Sequence, residues 1–90
     1  MREATIINRL YTLRCRLAKA GIKEELRRSN SGVPHVLVLD GEGNPVASVA
    51  FFGKGKFYRC FSPWPASKQR KFSSQLPDEI VKHVQEVLSN

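Results

Sequence analysis

The stretch from Pro45 to Pro77 contains no aspartate or glutamate, yet it carries Lys54, Lys56, Arg59, Lys68, Arg70 and Lys71. It cannot neutralise itself locally, so a surface built from it stays positive. Cysteine is scarce as well. Cys15 and Cys60 have no C-x-x-C partner and no histidine at ligand spacing, which excludes a zinc site or a disulfide framework and leaves at most one bridge between them. They read as two separate small apolar thiols in a reducing, cytoplasmic compartment. No run approaches the roughly 18 apolar residues of a membrane span, and the opening residues have no signal-peptide core, so a membrane is not an expected partner. Gly41-x-Gly43 and Gly53-x-Gly55 lack a third glycine and open no helix, which excludes a dinucleotide cradle. Asp40, Glu42 and Asn44 alternate like a calcium loop, but Pro45 stands where that loop needs glycine and Phe51 where it needs its bidentate glutamate. No Gly-x-Ser-x-Gly elbow occurs. Catalytic residues, metal and cofactor are therefore all expected to be none.

What is present is a chain of 90 residues, 41% hydrophobic and 26% charged, sufficient for one core and not for two. Its net charge of +7 is uneven: residues 1–32 carry +5, 33–44 carry −2, 45–77 carry +6 and 78–90 carry −2. A surplus spread for solubility would be interspersed, whereas a clustered one points to a polyanion.

Ile6, Leu10, Leu13, Leu17 and Ala20 recur at helical spacing. They predict a helix over about 4–20, stopped by Gly21 in a left-handed conformation with Ile22 folding back on Leu17. Residues 22–28 mix helix formers with a loose alternation and are read as a possible edge strand before the turn Ser29-Asn30-Ser31-Gly32. Runs at 35–39, 46–52 and 56–61 form an antiparallel meander, turned at Asp40-Gly41-Glu42-Gly43-Asn44 and at Gly53-Lys54-Gly55. A three-residue second turn would put Val49, Phe51, Phe57 and Phe61 on one face and Ser48, Ala50, Tyr58 and Cys60 on the other; a two-residue turn would slip that register. Residues 62–75 read as a basic loop holding Trp64 between Pro63 and Pro65. A second helix over about 77–89 opens on Pro77, Asp78 and Glu79 and buries Ile80, Val81, Val84, Val87 and Leu88. The expected fold is a single small α+β domain in the order α-β-β-β-α, with both helices on one face of a three- or four-stranded antiparallel sheet.

One constellation carries chemistry. Lys54 and Lys56 at a hairpin tip, Arg59 on its return strand, and Lys68, Arg70 and Lys71 on a loop can reach phosphates. Trp64 and Tyr58 are the stacking candidates, with Trp64 equally able to serve as a lid on the core, while Phe51, Phe57 and Phe61 are assigned to the core. His83 lies at the margin of the second helix's apolar stripe, and His35 opens a strand. The expected function is a non-catalytic nucleic-acid-binding module, for DNA or RNA, using Lys54, Lys56, Arg59, Trp64, Lys68, Arg70 and Lys71. The alternative is a small accessory or inhibitor module, of the kind phages and mobile elements encode, docking on an acidic or nucleoprotein partner.

The order helix, antiparallel meander, helix resembles the double-stranded-RNA-binding fold and the HicA-type mRNA interferase toxins built on it. The resemblance covers most of the chain and rests on element order. It implies a third reading, a ribonuclease in which His35, after Ser31-Gly32, takes the place of the toxins' catalytic histidine; here Val33 and Pro34 intervene. It also implies paired lysines at the start of the last helix. In this chain Lys68-Gln69-Arg70-Lys71 lies upstream, and the helix itself begins Pro77-Asp78-Glu79.

Overall fold

The computed structural model describes residues 3–52, 56–63 and 68–89. Helix α1 spans Glu3–Lys19; strands β1 (Lys23–Arg28), β2 (Pro34–Leu39), β3 (Pro45–Phe52), β4 (Phe57–Ser62) and β5 (Lys68–Ser73) follow, then helix α2 (Pro77–Leu88). The strands form one antiparallel meander in chain order, and both helices lie on one face of it. The fold is α+β as expected, with five strands in place of three or four.

Leu10, Leu13 and Leu17 of α1 are fully buried, with Ile6 packed at their margin, while Ala20 lies beyond the helix and is exposed. The helix ends in a Schellman motif. Gly21 adopts φ +76°, its N–H donates to Ala18 O at 3.0 Å, and the N–H of Ile22 donates to Leu17 O at 3.0 Å. Only a residue without Cβ takes that backbone freely, and the reversal delivers Ile22 into the core and starts β1. β1 is an edge strand whose charges discourage pairing with another chain. Its Glu24 accepts from Arg14 Nε of α1 at 2.6 Å. At the other end, Pro77 opens α2, and Asp78 in its first turn accepts from Arg16 Nη1 at 2.8 and 2.9 Å, so the two helices are also tied at the surface.

Under the helices, Val36 and Val38 of β2, Ala47, Val49 and Phe51 of β3, Tyr58 and Cys60 of β4 and Phe72 of β5 meet Leu10, Leu13, Leu17, Ile80, Val81 and Val84. The β3–β4 register differs from the three-residue-turn expectation. Phe52 pairs with Phe57, Phe51 with Tyr58, Val49 with Cys60 and Ser48 with Phe61, so residues 53–56 make the connection. This moves Tyr58 and Cys60 inward and Phe57 and Phe61 outward. Charge explains the choice, because residues 57, 59 and 61 share a face. Burying the two phenyl rings would drag the Arg59 guanidinium under the helices, at a cost of several kcal/mol for an unpaired ion. Tyr58 carries no such penalty. Its hydroxyl donates to Arg9 O of α1 at 2.6 Å, and its ring meets Phe51 edge-on at 5.2 Å and 66°.

The stretch read as a loop over 62–75 contains β5. Lys68, Arg70 and Phe72 alternate there with Gln69, Lys71 and Ser73, and the strand pairs with β4 along its whole length. Phe72 is its one core anchor, which is sufficient for an edge strand and too little to mark one by hydrophobic pattern.

Candidate nucleic-acid interface

With both helices on one side, the opposite face of the sheet is helix-free. Strand alternation and register assign its rows. One row crosses all five strands as Arg27, His35, Ala50, Arg59 and Lys71; the ladders pair Arg27 with His35, Ala50 with Arg59 and Arg59 with Lys71, and His35 opposes Ala50 one step on from Val36 and Val49. A second row runs Glu25, Leu37, Ser48, Phe61 and Gln69, and a third Phe52, Phe57 and Ser73.

Three phenyl rings therefore point away from the core. Phe52 is 38% and Phe57 41% exposed, and Phe61 is half-buried. The cations of the face lie over them. The Arg59 guanidinium sits 4.9 Å from the Phe52 ring centre and Lys71 Nζ 6.0 Å from that of Phe57, within cation–π range. Arg59 Nε is enclosed there and is the buried side-chain nitrogen without a hydrogen-bond partner among the described residues. Arg27 is already bonded through Nε and Nη2 to Glu25 Oε2, at 2.8 and 2.5 Å, so the surplus charge of the face rests chiefly on Arg59 and Lys71. Between the rows opens an apolar hollow of about 240 Å³, walled by Val33, His35, Phe52 and Phe61 and floored by Ser48 and Ala50.

The cations expected to act together divide between two sides. Arg59 and Lys71 are neighbours on the helix-free face. Lys68 and Arg70 share the parity of Phe72 and stand on the helix side, where the Arg70 guanidinium lies 5.1 Å from the Phe72 ring centre. Lys56 is exposed just before β4 at φ +56°, its carbonyl accepting from Ser74 N–H at 3.1 Å. Lys54, Trp64 and the Gly53–Gly55 turn lie outside the described residues. Tyr58, expected as a stacking residue, is instead fully buried, and burial raises its phenol pKa. The reading from sequence missed Phe52, Phe57 and Phe61 as surface groups. The signal for the last two lay in Arg59, whose parity they share.

Ser62 Oγ lies 3.1 Å from His83 Nε2, a spacing suited to a nucleophile and its base. The wiring is reversed. Arg70 Nη1 stands 3.4 Å from His83 Nδ1, and a guanidinium can only donate, so Nδ1 accepts and Nε2 carries the proton toward Ser62. A base for Ser62 would need a bare Nε2. Burial and then the Arg70 charge hold the His83 pKa below its ordinary value, consistent with the neutral ring. His35 stands beside Arg27 in the cross-sheet row, with Nδ1 3.4 Å from Val33 O. Among the described residues no group of His, Cys, Asp and Glu is arranged to hold a metal ion. Likewise no helix is long and apolar enough to cross a membrane. A larger groove of about 620 Å³ lies between the helices near Cys15 and Val81, but its opposed charges, Arg16 and Asp78, already bond each other.

Comparison of the chain with protein-family models, curated proteins and solved structures finds no match.

Proposed function

We propose that this protein is a non-catalytic nucleic-acid-binding module whose interface is the helix-free face of its sheet. The observation that carries the reading is the outward placement of Phe52, Phe57 and Phe61 with Arg59 and Lys71 lying over two of the rings. A sheet that spends three phenyl rings on solvent forgoes core area a small domain needs, which a stacking role explains and packing does not. Cations beside those rings supply phosphate contacts and the long-range attraction that brings a polyanion to the surface. Two free thiols, Cys15 and Cys60, favour a reducing, cytoplasmic setting.

Titration of labelled oligonucleotides across a salt series tests the reading. Binding should weaken with log salt at a slope of about −1.4 if Arg59 and Lys71 each neutralise one phosphate of a single strand. A flat salt dependence, or no binding at low salt, would refute it. A second reading, docking on a protein partner, is favoured by the apolar walls of the hollow over Ala50. It predicts that oligonucleotides fail to bind while the intact protein captures an acidic partner.

A further inference from the structure

The face has a width and a contour that choose between kinds of nucleic acid, and the following rests on the nucleic-acid reading above. Five strands at about 4.8 Å separation set β1 and β5 roughly 19 Å apart, whereas a major groove is about 12 Å wide and admits a helix or a two-stranded ribbon. This sheet cannot lay its face into a groove. Against a duplex it would meet only phosphates, and the phenyl rings would touch no base, because paired bases keep their faces stacked inside.

The hollow answers to an unpaired base. Its floor is the methyl of Ala50, 5% exposed, with Ser48 beside it. Phe52 and Phe61 rise at its two ends, set four residues apart along the sheet by the pairing of Phe61 with Ser48. At about 240 Å³ it is smaller than the roughly 300–1,000 Å³ of a pocket for a drug-sized molecule, and it suits a single flat ring system. Cations flank it along the cross-sheet row, Arg27 on the β1 side and Arg59 and Lys71 on the β5 side. Arg59, the cross-strand neighbour of Ala50, stands beside the hollow with its guanidinium over the Phe52 ring. A second copy of this chain seated face to face would bring a second surface of the same positive sign against Arg59 and Lys71. A polyanion does not meet that repulsion.

We propose that the hollow over Ala50 seats one unpaired base of a single-stranded nucleic acid, held between Phe52 and Phe61, while its sugar–phosphate chain crosses the strands along the row from Arg27 to Lys71. A phenyl ring at one end of the hollow takes one face of the base, and Arg59 and Lys71 receive the phosphates on the side that leaves the hollow. Selection of single over double strand follows from the width of the sheet and needs no base-specific hydrogen bond.

Fluorescence anisotropy with one short labelled oligonucleotide, alone and annealed to its complement, tests this on the intact protein. The single strand should bind at least about tenfold more tightly, the difference one stacked base supplies. Ala50→Val raises the floor with a residue that strands favour. It should lower single-strand affinity about tenfold and leave duplex binding and the melting temperature unchanged. Phe52→Leu, at a part-exposed position, repeats the test if Ala50→Val does not fold. Lys71→Ala should weaken single strand and duplex alike, separating phosphate contact from the base seat. Equal binding of the two strands, or parental single-strand affinity in both hollow variants, would overturn the base seat while leaving nucleic-acid binding standing. Absence of binding to either strand at low salt would overturn the functional reading and the seat with it. A dimer in light scattering that Ala50→Val dissociates, with single-strand affinity unaltered, would assign the face to a second copy.

Discussion

Replacing Tyr58 by alanine and, separately, its neighbour Phe57 by alanine distinguishes the observed register from the one slipped by a residue. Tyr58 has no solvent exposure, contacts Phe51 edge-on and reaches Arg9 O through its hydroxyl. Its truncation removes a large aromatic from under α1 and should cost about 3–5 kcal/mol, a large share of the roughly 5–15 kcal/mol that stabilises a domain. Phe57 is 41% exposed, pairs across the strands with Phe52 and lies under Lys71. A cross-strand pair on an open face contributes roughly 0.2–1 kcal/mol, which bounds the loss from Phe57→Ala. Tyr58→Phe isolates the hydroxyl and should cost about 0.5–1.5 kcal/mol. In urea titrations followed by circular dichroism, Tyr58→Ala should lower the midpoint by at least about 1 M with an unchanged m-value, and Phe57→Ala by a small fraction of that. Equal losses, or a larger one at Phe57, would put that phenyl ring in the core and refute the register, and with it the aromatic face on which the functional reading depends.

The division of cations between the two sides of the sheet should appear in salt dependence: Arg59→Ala and Lys71→Ala each flatten the log-affinity slope by about 0.7, while Lys68→Ala and Arg70→Ala, on the helix side, change it little. His83 should make stability pH-dependent. Its pKa in the folded chain is held below the ordinary 6.5 by burial and by Arg70, so as pH falls through that window the unfolded chain binds the proton first. Stability present above pH 6.5 is then lost below it; His83→Gln should remove this contribution, and a midpoint rising on acidification would contradict it. Cys60 is buried with its thiol pKa pushed up to about 11, whereas Cys15 is exposed on α1. An aromatic disulfide reagent should therefore modify one thiol in the native protein and two after unfolding, and two reacting at the same rate natively would show that β4 does not lie beneath the helices.

Local chemistry wrote much of this fold into the chain. The four- and three-residue spacing from Ile6 to Leu17, the stop at Gly21 with Ile22 behind it, and Pro77-Asp78-Glu79 ahead of an apolar stripe specify two helices. Each depends on groups within a turn or two of one another. The loop at residues 40–44 is equally local, since Asp40 Oδ1 accepts from the N–H groups of Glu42 and Asn44 at 2.9 and 2.8 Å and those bonds lower its pKa. Alternating strands around such turns, with two stripes to bury, lead to helices on one face of an antiparallel sheet. The acid-free stretch from Pro45 to Pro77 likewise marks a positive surface whatever its shape.

Position across the sheet was another matter. The segment Phe57-Tyr58-Arg59-Cys60-Phe61 offers apolar groups at both parities, so its hydrophobic pattern is silent on which set faces inward. The outcome follows from a balance over distant partners: Tyr58 finds a carbonyl on α1, while Arg59 would find none under the helices. β5 holds a single apolar anchor, Phe72, and becomes a strand because β4 supplies a ladder for it. Those two tertiary decisions separate Arg59 and Lys71 from Lys68 and Arg70 and turn Phe52, Phe57 and Phe61 outward. Sequence determined the charge and every element but β5; pairing between strands made that strand and decided which face carries the charge, because side-chain direction in a sheet changes with every residue of register.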